Sequence, residues 1–176
     1  MTTTMTLSDV LCTNMLGGLG TLRSVIEAAQ KHAEANSIPI EELLEGRLAP
    51  DMFTFGQQVQ AATDTARRIT DRLSGAEASS MPDPGTSASD LLERIDQTLE
   101  HIKAADTARI DATADAELKI DLGAGPMQFT GRSLVFGFAV PNVLFHVTTA
   151  YDILRHKGVP LGKVMYVTPF VFACNR

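Results

Sequence analysis

The sequence predicts an all-α four-helix bundle with a small β-hairpin between the third and fourth helices. Apolar residues recur at intervals of three and four over long stretches, the spacing of one helical face. One short stretch switches to strict alternation, the period of a strand. A chain of 176 residues, 44% hydrophobic and 20% charged, suits a single domain over residues 1–176 with one full core.

Thr6-Leu-Ser-Asp9 has the form of a capping box. Apolar residues then follow in helical spacing at Leu7, Leu11, Met15, Leu22, Ile26, Ala29 and Ala33. Gly17, Gly18 and Gly20 interrupt this helix, each costing about 1 kcal/mol against alanine. Either a neighbouring helix approaches closely there or the helix breaks. Asn36 is the expected stop, and Pro39 to Gly46 reads as a short helix. Pro50 and Asp51 are expected to open the second long helix, whose stripe is Met52, Phe55, Val59, Ala62, Ala66, Ile69 and Leu73. Residues 74–89 form an inter-helix linker rich in serine, glycine and proline. A third helix is expected from about Ser89, with Leu91, Leu92, Ile95, Leu99 and Ile102 inward.

Alternation at Leu118, Ile120 and Leu122, a turn at Gly123 to Gly125, and alternation at Met127 and Phe129 predict the hairpin. The fourth helix is expected from Arg132 to Lys157 and, being apolar nearly all round in its first half, to be the most buried element. Pro141 should kink it and free the carbonyl of Gly137. Gly158 and Pro160 end it. Residues 164–176 are an apolar tail, β-branched and aromatic, expected to pack back on the body or to pair with another chain.

Composition excludes several function classes. A net charge of -6 with no basic run offers no footprint for nucleic acid and disfavours an anionic membrane surface. Leu134 to Val147, the longest apolar run, is too short for a clean membrane span and is interrupted by Pro141, Asn142 and His146. No signal peptide is read at Met1 to Thr6. Cys12 and Cys174 have no metal-binding spacing and read as reduced thiols of a cytoplasmic protein.

Of the four histidines, His32 and His101 read as solvated surface groups and His156 as a helix-terminal residue. His146 stands apart, because it lies in the most apolar helix and an imidazole there needs partners. Asn142 is one turn earlier on the same face. Gln58 sits at the edge of the second helix's stripe, whereas Gln60 and Asp64 lie on its other side. No carboxylate occupies an obvious core position, which argues against a two-carboxylate mechanism. Cys12 could face His146, but nothing nearby would lower its pKa.

Two segments carry a family resemblance. Pro141-Asn-Val-Leu-Phe-His146-Val-Thr-Thr-Ala-Tyr151-Asp-Ile-Leu-Arg-His156-Lys-Gly-Val-Pro160-Leu-Gly-Lys163 is one, and Arg47-Leu-Ala-Pro-Asp-Met-Phe53 with Gln58-Val-Gln60-Ala-Ala-Thr-Asp64 is the other. Together they resemble a bacterial domain of unknown function within the DinB/YfiT-like superfamily, over about residues 5 to 163. The resemblance implies a four-helix bundle, often dimeric, with a divalent metal on three histidines: one from the second helix and an H-x-x-x-H pair from the last. Some members are thiol-cofactor-dependent transferases or isomerases. Here the pair falls on Asn142 and His146, and the second-helix histidine falls near Gln58 or Gln60. Two of three ligands are thus neutral amides, which zinc and nickel hold weakly.

The leading expectation is a small-molecule pocket lined by Gln58, Asn142, His146 and Tyr151 in place of the metal site. Two rivals stand beside it. One is an enzyme with zinc, nickel or manganese on His146, or with His146 as base. The other is a structural homodimer joined through Gly17-Gly18-x-Gly20 or the tail.

Overall fold

The computed structural model describes residues 4–77, 85, 87–121 and 125–174. The first helix, α1 (Leu7–Asn36), opens on the expected capping box. Thr6 Oγ1 accepts from the Asp9 amide at 3.1 Å, and the Asp9 carboxylate accepts from the Thr6 amide at 2.9 Å. The helix runs unbroken through its glycines and ends where Ser37 turns left-handed, φ 54°.

After the short α2 (Ile40–Leu44), α3 (Phe55–Ser74) begins four residues later than expected. Its start is set by a second capping box, Thr54 with Gln57, which leaves Met52 outside the helix. Ser87 and Asp90 cap α4 (Ala88–Lys103) in the same way. A short α5 (Thr107–Ala112) was not anticipated. Strands β1 (Glu117–Asp121) and β2 (Pro126–Thr130) pair antiparallel, Leu118 opposite Phe129 and Ile120 opposite Met127. Half of the 74–89 linker, and Gly123 and Ala124 of the turn, lie outside the described residues.

The expected fourth helix is built in three pieces: α6 (Gly131–Leu134), a π-helical segment (Val135–Ala139) and α7 (Val140–His156). Pro141 explains the middle piece. Lacking an N–H, it cannot bond the Gly137 carbonyl, and the ladder just before it widens so that the Val140 amide bonds the Val135 carbonyl five residues back. The predicted kink is therefore a π-bulge.

The bundle is a ring of α1, α4, α3 and α7, in which α1 and α3 each pack on both α4 and α7. Its centre holds Leu11, Leu19 and Ile26 of α1, Val59 of α3, Ile95 of α4, and Val143 and Val147 of α7, all fully buried. Each such side chain is worth about 1.5–3 kcal/mol of burial. The fourth helix is not the most buried element. Phe136 and Phe145 are more than half exposed, whereas α1 hides nearly a whole face. The continuous helix Gly131–His156 has the length and composition of a membrane span, yet it packs along α3 and α1.

The apolar tail is a fifth long helix, α8 (Lys163–Cys174), with Pro169 inside it. Its β-branched and aromatic composition favours a strand, but docking on α1 overrides that preference. The glycines of α1 admit it: a Cβ on Gly17 would lie 2.4 Å from the Phe170 ring, and one on Gly20 would lie 2.9 Å from Pro169. Thr21 Oγ1 also donates to the Tyr166 carbonyl at 2.7 Å. Gly17 and Gly20 thus serve contact within the chain, which removes them as a homodimer seam.

Candidate functional site

Gln58 on α3 and His146 on α7 meet across the bundle. The Gln58 side chain is 1% exposed, and its amide must find partners. Its Nε2 donates to the Phe53 carbonyl at 3.5 Å, which leaves Oε1 to accept, and His146 Nδ1 lies 2.6 Å from that oxygen. The pairing assigns the proton to Nδ1 and leaves the lone pair on Nε2. Two turns along α3, Thr65 donates to Asn142 Oδ1 at 2.9 Å. Gln58 and Thr65 are seven apart, and His146 and Asn142 are four apart in the reverse sense. The two helices are therefore antiparallel, and the four side chains form one polar seam.

Aromatic rings frame the imidazole. Phe53, 50% exposed, stacks over it at 6.3 Å between ring centroids, and Phe145, 57% exposed, meets it edge-on at 5.4 Å. Burial pushes the His146 pKa below its ordinary 6.5. The neutral imidazole can accept a hydrogen bond or a proton at Nε2 but carries no fixed charge.

Stability should follow from this shift. Below pH 6.5 the unfolded chain binds a proton at this position more readily than the folded one. The contribution is therefore complete above 6.5 and is lost as pH falls towards the lowered folded value. Urea unfolding of wild type and His146→Gln between about pH 5 and pH 7 should show a steeper acid-side loss in wild type. Parallel curves would refute a desolvated His146.

The structure places Gln58, Asn142 and His146 in one seam and leaves Tyr151 outside it. That ring meets Tyr166 of α8 at 5.8 Å, because five residues past His146 a helix has turned by about 140°. Gln60 is not in the seam, and Asp64 pairs with the buried Arg94 of α4. Burial first, then the charges of Asp9 and Asp111, raise the Cys12 pKa, which disfavours the thiolate. Phe53 and Thr65 were missed, although Thr65 stands one heptad after Gln58.

Two further expectations are corrected. His101 is not a solvated surface group; its Nε2 bonds Asp71 Oδ1 between α4 and α3. Asp71 is a carboxylate at a core position, 2% exposed, and its Oδ2 is buried without a hydrogen-bond partner among the described residues.

The metal implied by the superfamily resemblance does not fit these donors. The Gln58 oxygen is held by His146 and the Asn142 oxygen by Thr65. Among the described residues one imidazole remains at this position, with no second imidazole or thiolate for zinc or nickel and no carboxylate for manganese. Among the described residues no group of three or more His, Cys, Asp or Glu side chains could hold a metal ion.

Comparison with known proteins agrees with the architecture. No curated protein matches the chain. The crystal structure of a DinB family member protein from Shewanella denitrificans is similar to it, with 33% identity, 92% of this chain and 91% of that chain covered, and a TM-score of 0.83. Residues 7–167 match the family described as a domain of unknown function, DUF1993. That match takes in both halves of the Gln58–His146 seam and ends within α8. The chain belongs to the DUF1993 family, on the helical-bundle fold of the DinB-like proteins.

Proposed function

We propose that this chain is a cytoplasmic DinB-like bundle that binds a small polar organic molecule at the ancestral metal position, with no metal there. The observation that carries this reading is the Gln58–His146 hydrogen bond set between the exposed rings of Phe53 and Phe145. Exposed aromatics around an oriented hydrogen-bonding group are the usual composition of a ligand site. Nε2 would accept a donor from the ligand, and the rings would cover its apolar part. Tyr151 takes no part in this site. Gln58 cannot be a base, so any proton transfer would fall to His146 alone.

The test is metal analysis followed by a ligand screen. Protein purified without a metal-affinity tag, and again after incubation with zinc, nickel and manganese, should retain none stoichiometrically. Near-stoichiometric metal in wild type that disappears in His146→Ala would overturn the reading. A screen of small amides, carboxylic acids and aromatic alcohols, read by chemical shifts of the Gln58 side-chain amide and the His146 ring, should then find one responsive class. Silence across all three would count against binding at this site.

A further inference from the structure

Away from His146, a groove of about 1050 Å³ lies between α1, α8 and the last turns of α4. Leu16, Gly20, Ser24 and Ala28 form its floor along α1, and Lys31 continues their line. These positions are three or four apart and share one face. From Leu16 to Lys31 the groove follows about 22 Å of helix. Met165, Pro169 and Phe172 of α8 form the facing wall.

The two ends differ. Gly17 touches Phe170, Gly20 touches Pro169, and Thr21 bonds Tyr166, so α8 runs antiparallel to α1. The Leu16 end therefore meets the C-terminal end of α8, with Phe172 and Ala173. α4 also runs against α1, since Arg23 pairs with Asp96 while Ser8 near the start of α1 bonds Asp111 beyond the end of α4. That places Lys103 at the same apolar end, where Glu100 holds its ammonium at 2.6 Å.

The other end is polar and cationic. Lys31 is exposed and has no ion pair among the described residues. His32 Nδ1 faces the Asn36 amide nitrogen at 3.3 Å and accepts from it, which leaves Nε2–H to donate. Glu27, the one carboxylate of the lining, is bridged to Arg23 at 3.2 Å. The N-terminus of α8 adds its positive dipole end close by.

We propose that this groove binds a long-chain carboxylate, its tail lying between α1 and α8 and its head on Lys31 and His32. Small residues on α1 leave room for a single methylene chain, and the mostly apolar walls desolvate it. One free ammonium and one imidazole N–H match one carboxylate. The apolar rim, Val164 and Phe172, is the surface that a second copy of the chain would cover instead. The charge at one end of the groove favours the carboxylate.

Palmitate titrated into the full chain by calorimetry should bind one per chain. Octanoate should bind at least about a hundredfold more weakly, having eight fewer methylenes to bury. Lys31→Glu, at an exposed position, should weaken palmitate about tenfold by reversing the head-group charge. Ser24→Trp should abolish binding by filling the floor, with its circular dichroism checked against wild type. His146→Ala should bind palmitate like wild type, which separates this proposal from the preceding one.

Three results would overturn it. One is palmitate that fails to saturate, or that binds Lys31→Glu as tightly as wild type. Another is a ligand-free dimer in sedimentation that Phe172→Lys dissociates, which would make a second copy the occupant. The last is binding to phosphatidylglycerol vesicles without binding to free palmitate, which would make a lipid surface the target.

Discussion

Gly17→Ala is expected to destabilise the fold by about 2 kcal/mol, the middle of the range for overpacking a tight contact. The sign is the informative part. In an exposed helix the same change stabilises by about 1 kcal/mol, because alanine loses less conformational freedom on folding. Here the added Cβ would lie 2.4 Å from the Phe170 ring and 2.9 Å from the Phe170 backbone. A ring can turn away, but backbone cannot, so α8 must lift as a whole. Thermal melts should show a fall of about 4–8 °C for a chain of this size. Hydrogen exchange should quicken in α8 and not in α3. Gly18→Ala is the control, since its Cβ would meet the Val147 and Val143 methyls at 3.3 and 3.4 Å and the tip of the Phe170 ring only at an ordinary 4.0 Å, with no backbone in reach. Phe170→Ala in the same chain should restore only part of the loss, because removing the ring leaves the clash with the backbone of residue 170. A Gly17→Ala protein more stable than wild type would mean that α8 does not sit on α1.

These glycines also show how far the sequence could be read. Their cluster within a good helical pattern called for either a break or a close neighbour, and both readings fit the local residues equally. Only α8 decides between them, and the sequence assigns that tail no element, because its Val, Tyr and Phe content carries the propensity of a strand rather than of a helix. Periodicity sees one element at a time, whereas helix against strand was decided here by what the segment docks on.

The candidate site was legible for the same reason that α8 was not. Gln58 stands beside an apolar stripe, and Asn142 and His146 are one turn apart in an apolar helix, so their inward direction follows from spacing alone. Tyr151 falls outside the seam because five residues of helix rotate it by about 140° from His146. His101 and Asp71 were misjudged because each has polar neighbours in sequence. Their partnership joins positions thirty apart on different helices, and no local pattern marks it.

That partnership sets the second large effect. His101→Ala should cost about 3 kcal/mol or more, the range for leaving a buried carboxylate without its hydrogen-bond partner. Asp71 is almost fully buried on α3, with one oxygen on the imidazole and the other without a partner among the described residues. Removing the ring leaves the carboxylate with nothing to balance its lost hydration. Asp71→Asn should cost much less, about 1 kcal/mol, because an amide can still donate to a neutral imidazole and carries no charge to desolvate. The double variant is the decisive protein. If the penalty comes from a stranded charge, adding Asp71→Asn to His101→Ala should recover stability, although it removes one more native group. If it comes from lost packing, the two losses should add. Urea unfolding with unchanged m-values would measure all three. His32→Ala, a partly exposed histidine without a carboxylate partner among the described residues, should stay within about 0.5 kcal/mol of wild type. A His101→Ala protein as mild as that control would show that the α3–α4 pair does not form in solution.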